Sequence, residues 1–551
     1  MRLYSLLFTV ILLLSFQVKS KGQLNSNLHF GLPINPNKSV VFGKDIVIGD
    51  QPTRNQRDLA ICTAFNGWMY VVMSRNGSGY GGYTIYNSID NGMNWSLFKD
   101  VQDPSIDTHY HEFDILACGN SLSELKVFIS WIDNDTSGLA YSRIAVLKIN
   151  GLTGVAESGL FSENEDGSTY YDVKLVSDYL SPSIESNPYS VGILFSERNI
   201  LGFVRDSVNF CISTNGGISI TNRMSVEASN ARIYEKVSIA YGRSPSMNSG
   251  KYFATWEDKD DLSHSTGHIY TAHSDPGITG SFSLPICLDC DNATIGNKCS
   301  NPSIACSFNS IDNDSANITS AIIYQRLTAG ASYDISGVYN LKAATGSNFH
   351  KMDLSITSHN EIQPSITFNH FDHNFFMTYY DSTAQKLPCL SNNFNFANPN
   401  SWTIISAGFN DSTNLRVPFP KVIINENKQE SAYIWNSEGF NNNGIAMFDA
   451  EYSTYTGTSA TKIISERISS FVFPNPSSST STLFFELKKA SVVSISISTI
   501  YGQKIDTIND LFLLEGKHEI KLDVTKFVSG IYIYSIIIEE NETSGKFIVA
   551  H

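Results

Sequence analysis

The sequence predicts an all-β chain: a β-propeller of seven blades, with six or eight as the adjacent counts, followed by a small C-terminal β-sandwich. Three observations carry this expectation. The composition is 42% apolar and 12% aromatic against 17% charged, globular values rich in residues that suit pleated, half-buried surfaces. A pair of short apolar runs recurs seven times between residues 58 and 438. From about residue 465 onward, short alternating runs are split by Pro-Asn-Pro, Tyr-Gly-Gln and Ser-Gly, the pattern of a small antiparallel sandwich. At 551 residues the chain exceeds one ordinary core, so several domains or one large repeat array are expected.

Taken in order, residues 1–23 read as a signal peptide. Arg2 precedes an apolar stretch from Leu6 to Val18, and the small residue Ser20 follows. The stretch is too short to span a bilayer comfortably, and no later run exceeds it, so no transmembrane segment is expected. No Cys follows it directly, which argues against a lipid anchor. The expectation is export to an oxidising compartment.

Residues 24–464 hold the repeats. Each opens with a short strand and continues, after a loop, into a more apolar strand ending in a polar or charged residue. The pairs are "DLAIC" with "WMYVVMSR", "FDILAC" with "LKVFISWID", "SPSIES" with "SVGILFSER", and "EKVSIAY" with "KYFATWED". Then come "NPSIAC" with "ITSAIIYQR", "QPSITF" with "NFFMTYYD", and "PFPKVI" with "ESAYIWNSE". Their spacing of roughly 55 to 68 residues is filled by four strands and four turns, one propeller blade.

The stretch "SIDNGMNW", Ser88 to Trp95, falls where the first blade turns from its third strand into its fourth. Asp90 is expected to hydrogen-bond turn amides, Gly92 to take a backbone conformation closed to other residues, and Trp95 to pack beneath the neighbouring sheet. Ser88, Asp90, Gly92 and Trp95 together resemble the Asp-box, or BNR repeat, of sialidase-type β-propellers. Weaker echoes are "STNGG" at Ser213 to Gly217 and "SDPG" at Ser274 to Gly277. What the resemblance implies for these residues is a structural turn on the face opposite the one propeller active sites use.

The resemblance also implies glycoside hydrolysis, which has its own residue requirements. Sialidase-like enzymes clamp a substrate carboxylate with three Arg and use a Tyr and Glu pair as nucleophile with an Asp as acid or base. Their early Arg-Ile-Pro motif is missing here; Arg57 precedes the first inner strand one position out of registry. Candidate ligand-binding residues at the mouth of the propeller are Arg57, Arg75, Arg198, Glu257, Asp258, Arg326, Asp381 and Arg416, with Asp133, Glu197 and Glu438 as further acidic members. Such a ring serves either a glycan site or a solvated rim of ion pairs. No catalytic residue is assigned, and an enzyme is the secondary reading.

Other chemistry is sparse. No G-x-S-x-G, HExxH or phosphate-cradling Gly loop occurs. The cluster "HYHEFD", with His109, His111, Glu112 and Asp114, is accounted for by alternation along a strand. His264, His268 and His273, with Asp258, Asp260 and Asp261, fit no standard zinc spacing. "DNDTSG" sets Asp133, Asp135 and Ser137 at alternate positions before Gly138 and resembles the calcium hairpins of some propellers, so calcium is the one cofactor the sequence offers. Ile144 stands where an EF-hand would carry its bidentate Glu. Cys62, Cys118 and Cys306 end inner strands and read as small apolar fillers. Cys287, Cys290 and Cys299 crowd one loop and are disulfide candidates whose connectivity stays open. Cys211 and Cys389 lie in expected third strands without an assignable partner.

Residues 465–551 carry the most specific signal. Phe473-Pro474-Asn475-Pro476, Tyr501-Gly502-Gln503, Ser529-Gly530-Ile531-Tyr532 and Lys546 followed by "FIV" occur in this order. Together they resemble the type A C-terminal sorting domain of type IX secretion. The resemblance implies passage across the outer membrane by the type IX machinery, removal of the domain, and release or attachment at the cell surface. A net charge of −15 repels phosphate backbones, so nucleic acid is not an expected partner. The function expected is binding of a glycan or surface protein. A sialidase-like exo-glycoside hydrolase and a structural surface-layer or adhesion component are the alternatives.

Overall fold

The structure is a computed structural model. It describes residues 38–551 apart from 43–44, 50–57, 76–80, 104–107, 136–141, 164–167, 179–188, 200–205, 230–231, 245–248, 261–266, 276–280, 291–297, 309–316, 329–331, 344–347, 353, 355–357, 393–401, 412–414, 416–417, 427, 439–443, 456–469, 488–490, 500–503, 515 and 539–540. Among the described residues every regular element is a strand, and no helix is long and apolar enough to cross a membrane.

Six four-stranded sheets follow one another, each with its strands side by side in chain order. Sheet 1 is Ala60–Thr63, Met69–Ser74, Gly81–Ser88 and Ser96–Asp103. Sheet 2 is Thr108–Cys118, Lys126–Asp135, Ser142–Asn150 and Ala156–Glu163; sheet 3 is Ser168–Ser177, Val191–Asn199, Asp206–Ser213 and Asn222–Ser229. Sheet 4 is Arg232–Gly242, Lys251–Asp260, Gly267–His273 and Ile286–Cys287; sheet 5 is Cys299–Cys306, Ser320–Leu327, Tyr333–Asn340 and His350–Lys351. Sheet 6 is Glu361–Asn369, Asn374–Asp381, Cys389–Asn392 and Thr403–Ser406. Sheet 7 takes Lys421–Asn425, Glu430–Glu438 and Gly444–Tyr455, and its last strand pairs with the N-terminal strands Lys38–Phe42 and Ile46–Gly49. The first strand of each sheet packs on the first strand of the next, and that of sheet 7 packs on that of sheet 1. This is a β-propeller.

Burial explains the sequence pattern. Second strands lie between two neighbouring sheets, so Met69–Ser74 is buried at every position and reads as a continuous apolar run rather than an alternating one. Fourth strands are outermost, and Ser96–Asp103 has no buried residue. The core is a series of clusters between adjacent sheets, such as Tyr70, Val72 and Tyr83 of sheet 1 against Phe113, Ile115 and Val127 of sheet 2. Each such side chain contributes roughly 1.5–3 kcal/mol on burial.

First strands have only one strand neighbour in their own sheet, and their free amides are caught by the preceding sheet. Leu175 N donates to Asp114 Oδ2 at 2.7 Å and Val237 N to Asp172 Oδ2 at 3.0 Å. Ile304 N, Ile366 N and Val422 N donate in turn to the hydroxyls of Ser238, Ser303 and Ser365 at 3.2–3.3 Å. A belt of side-chain acceptors thus satisfies backbone donors that an inner edge would leave unpaired.

The Ser88–Trp95 turn behaves as its residues dictate. Ser88 Oγ accepts from Gly92 N at 2.8 Å, and Asp90 Oδ1 accepts from Asn94 N at 2.8 Å. Gly92 has φ 86°, and a Cβ there would lie 2.1 Å from the Phe448 ring of sheet 7. Trp95 meets the same ring edge-on at 5.3 Å. Ser213–Gly217 repeats the turn against sheet 2: Ser213 Oγ accepts from Gly217 N at 3.1 Å, and a Cβ on Gly217 would lie 2.4 Å from Phe128. Of the third echo, Ser274 and Asp275 are described, while Pro276 and Gly277 lie outside the described residues.

Two expectations need correction. The first strand of sheet 3 is Ser168–Ser177, in register with Val191–Asn199, not "SPSIES", which lies outside the described residues. The Pro-Ser-Ile likeness to "NPSIAC" and "QPSITF" misled, because this sheet places "YYDVKLV" at the inner edge instead. Sheet 7 also draws strands from residues 38–49, which the repeat pattern had left unassigned.

Beyond residue 469, Ser470–Phe473, Thr480–Leu487 and Gly516–Asp523 form one sheet. Lys504–Leu513, Ser491–Thr499, Gly530–Ile538 and Asn541–Val549 form another. Leu483, Phe485, Ile495, Tyr532, Ile536 and Phe547 from the two sheets share one core. Tyr501-Gly502-Gln503 lies outside the described residues.

Candidate functional site

A cavity of about 800 Å³ runs between the first strands and draws lining residues from all seven sheets. Bulges shape it. The first strands of sheets 2 to 6 each shift register near their N-terminal ends, between His111 and Asp114, Tyr170 and Asp172, Tyr234 and Val237, Ser300 and Ser303, and Ile362 and Ser365. Glu112, Asn301 and Gln363 sit in these bulges with φ of 50–57°, and Asp58 and Phe419 take φ of 52° and 45° just ahead of the first strands of sheets 1 and 7. All five line the cavity. Left-handed backbone at a non-glycine residue is costly, and a bulge re-aims the side chain it carries.

The bulges are pinned from the preceding sheet. Asn301 N donates to Glu257 Oε2 at 3.4 Å, Gln363 N to Gln325 Oε1 at 3.1 Å, and Phe419 N to Gln363 Oε1 at 2.9 Å. Gln325 Nε2 also donates to Ser300 Oγ at 2.9 Å. Amide and carboxylate groups are therefore held rigidly at the wall.

Most of the charge in this wall is paired, with Asp58 and Glu426 as carboxyl groups beyond the three that face lysines. Three carboxylates, Glu112, Asp114 and Asp172, face three ammonium groups, Lys174, Lys236 and Lys421. Lys236 Nζ lies 2.5 Å from Glu112 Oε1, and Lys174 pairs with Asp172. Burial opposes the Glu112 charge, yet Lys236 and Lys174 outweigh it and hold the carboxyl down to about 2. Burial pushes the Asp114 carboxyl up, opposed by Lys174 and the Leu175 amide. Lys421 makes no ion pair among the described residues; burial and the neighbouring Lys174 lower its pKa. Among the described residues it is the wall lysine without a dedicated counter-ion.

A second polar pair stands where the first strands of sheets 6 and 7 end. His370 Nε2 and Glu426 Oε2 are 3.6 Å apart, beyond hydrogen-bonding distance. Burial pushes Glu426 up to about 8; burial and then His373 bring His370 down to about 4. Desolvation outweighs mutual attraction here, and both groups prefer their neutral forms.

The ring expected at the ends of the second strands does not line this cavity. Arg75 turns to Asp100 on the fourth strand of its own sheet. Arg198 faces Asp206 at 3.9 Å, Asp258 pairs with Arg232 at 2.6 Å, and Asp381 accepts from His359 at 2.6 Å. Glu257 is buried against Lys259 at 3.0 Å and reaches the Asn301 bulge from behind. Arg326 has a buried Nε with no hydrogen-bond partner and no ion pair among the described residues. Arg57 and Arg416 lie outside the described residues. For Arg75, Arg198, Asp258 and Asp381 the physical reason is in-sheet pairing: each finds an opposite charge within its own sheet.

The calcium expectation meets a similar obstacle. Asp133 is occupied by the guanidinium of Arg143, whose Nη2 lies 2.5 Å from Oδ2, and by Trp131 Nε1 at 3.2 Å. The Asp135 side chain and Ser137 lie outside the described residues. Cys287 and Cys290 form a disulfide, whereas Cys299 is free and buried, as are Cys62, Cys118, Cys211, Cys306 and Cys389.

Sequence reasoning missed the wall itself. Its signal was present as charged residues inside otherwise apolar first strands: "EFDIL", "YDVKL", "EKVSI" and "PKVI".

Residues 471–550 match the family described as the secretion system C-terminal sorting domain. No curated protein matches the chain. Among solved structures, the α-L-arabinofuranosidase Arb93A of Fusarium graminearum is 9% identical with a TM-score of 0.43, covering 75% of this chain and 98% of that one. A protein of unknown function from Dyadobacter fermentans is 9% identical with a TM-score of 0.44, covering 76% and 100%. PorZ, a surface component of the type IX secretion system of Porphyromonas gingivalis, is 12% identical with a TM-score of 0.36, covering 92% and 61%. Likenesses at this level transfer no activity and no residue roles. The sorting domain does carry a conclusion: this protein is exported through type IX secretion and is secreted or attached to the outer cell surface.

Proposed function

We propose that this chain is an exported seven-bladed propeller, residues 24–464, that binds a glycan in its central cavity and is delivered by a sorting sandwich, residues 465–551. The single observation that supports this most is the bulged wall: five strained, non-glycine residues face one cavity of about 800 Å³, a volume in the usual range for small-ligand sites. Fixed side-chain amides at Gln325 and Gln363, paired carboxylates and ammoniums, and the apolar faces of Phe113, Tyr241 and Phe419 suit a hydroxyl-rich ligand with apolar ring faces. A glycan array and a pull-down against surface proteins, both with the mature chain, test this reading. Retention of a glycan that weakens in Lys421→Met supports it; no retained glycan, or a protein partner alone, goes against it.

A sialidase-like exo-glycosidase is the second reading. It is favoured by the presence of Glu112, Asp114 and Asp172 on one wall, since paired carboxylates are what glycoside hydrolysis needs. Turnover of a fluorogenic sialoside that disappears in Asp114→Asn or Asp172→Asn would establish it, and its absence would remove it.

A further inference from the structure

We propose that His268, Cys287, Asp289 and Cys290 form a redox-switched metal site, closed as a disulfide and opening on reduction to hold one divalent ion of the zinc class. The four residues meet at the outer edge of sheet 4. Tyr270 of the third strand pairs with Cys287 of the short fourth strand, which brings His268 alongside the Cys-Leu-Asp-Cys segment. Their donor atoms all lie within 4.8 Å of one another.

The cluster is built rather than incidental. Asp289 is 4% exposed; its Oδ1 accepts from Ile269 N at 3.0 Å, and its Oδ2 faces His268 Nδ1 at 3.1 Å. The buried thiol of Cys299, on the first strand of sheet 5, is a near neighbour of Asp289. Leu288 N donates to Ile269 O at 2.8 Å, so the backbone between the two cysteines is held by the sheet ladder and not by the bridge. Cys287 and Cys290 are three residues apart, and a bridge closing so short a loop contributes less to stability than one closing a long loop. The segment therefore keeps its place when the bridge opens.

Two thiolates, one imidazole and one carboxylate are a tetrahedral set that soft and borderline ions prefer. Zn–S of about 2.3 Å and Zn–N of about 2.0–2.1 Å are the distances the reduced site would have to reach from donor atoms that already lie within 4.8 Å of one another. The chemistry balances. A dithiol donates two electrons, leaves as its own disulfide, and converts the bridge to two thiols; binding of the ion then releases the two thiol protons.

The test uses the mature chain before and after anaerobic reduction with a phosphine, which is then removed by desalting. Native thiol counting is expected to give none before and two after, because the other six cysteines are buried. Zinc measured by mass spectrometry after gel filtration should rise from substoichiometric to one per chain and protect both thiols from a maleimide. His268→Ala and Asp289→Asn should each keep two native thiols after reduction but lose affinity about 10-fold or more, while Cys299→Ser should retain the zinc. Reduced chain that takes up no zinc, or oxidised chain that takes up as much, overturns the proposal. Retained tryptophan fluorescence in each variant shows that a loss is not unfolding.

Discussion

Replacing Lys236 with Met probes the cavity wall most sharply. The ammonium 2.5 Å from Glu112 Oε1 disappears, while Glu112 stays fixed in a bulge with φ 52° and cannot turn away. Breaking a buried pair from one side costs about 3–5 kcal/mol. Here the side chains are 34% and 27% exposed and Lys174 still faces Glu112, so solvent and the second lysine reduce the expected loss to about 2–3 kcal/mol. The sign with pH follows from the depressed carboxyl. Glu112 is held at about 2 against an ordinary 4.5, so its contribution is present above 4.5 and is lost as pH falls toward 2. The variant's deficit is therefore largest at neutral pH and shrinks in acid. Urea unfolding followed by tryptophan fluorescence is the assay, because all six Trp, from Trp68 to Trp435, precede the sorting domain. The double change Lys236→Met with Glu112→Gln should recover at least half the loss. A single-variant deficit below about 0.5 kcal/mol, or a double variant no better than the single, would refute the reasoning.

Three further outcomes are expected. Gly216 and Gly217 both have positive φ, but a Cβ on Gly216 would find its nearest atom at 3.9 Å and one on Gly217 would meet Phe128 at 2.4 Å; Gly216→Ala should cost about 1 kcal/mol and Gly217→Ala at least about 2 kcal/mol in urea unfolding. Ser303→Ala and Ser365→Ala each strand one amide of the next sheet and should each lower stability by about 1–2 kcal/mol. Glu426, raised to about 8, is protonated in the folded chain while its unfolded counterpart ionises near 4.5. Stability should thus fall as pH rises from about 4.5 to 8, by roughly 2–4 kcal/mol, and Glu426→Gln should flatten that fall in a urea-midpoint series.

The repeats were legible because second strands are buried on both faces, so "WMYVVMSR" and "ESAYIWNSE" announce themselves as apolar runs. The Ser88–Trp95 turn was legible because its hydrogen bonds are local and its glycine contact needs only a neighbouring sheet. The pairing of residues 38–49 with sheet 7 was not, since it joins strands about 400 residues apart. Neither was the wall. Simple alternation is what "HYHEFD" suggests, but the strand shifts register between His111 and Asp114, and nothing local reveals that this bulge turns Glu112 into the cavity or that Lys236, more than a hundred residues later, meets it. The in-sheet partners of Arg75, Arg198 and Asp381 were hidden for the same reason: they are set by register, which one strand's sequence does not contain.

The most direct test of a ligand-binding cavity between the first strands is a crystal structure of the mature chain with a glycan it retains on an array. The ligand should lie among Asn301, Gln363 and Lys421, displacing solvent from the wall. Density for the sugar on an outer strand or a turn, with that wall untouched, would contradict it.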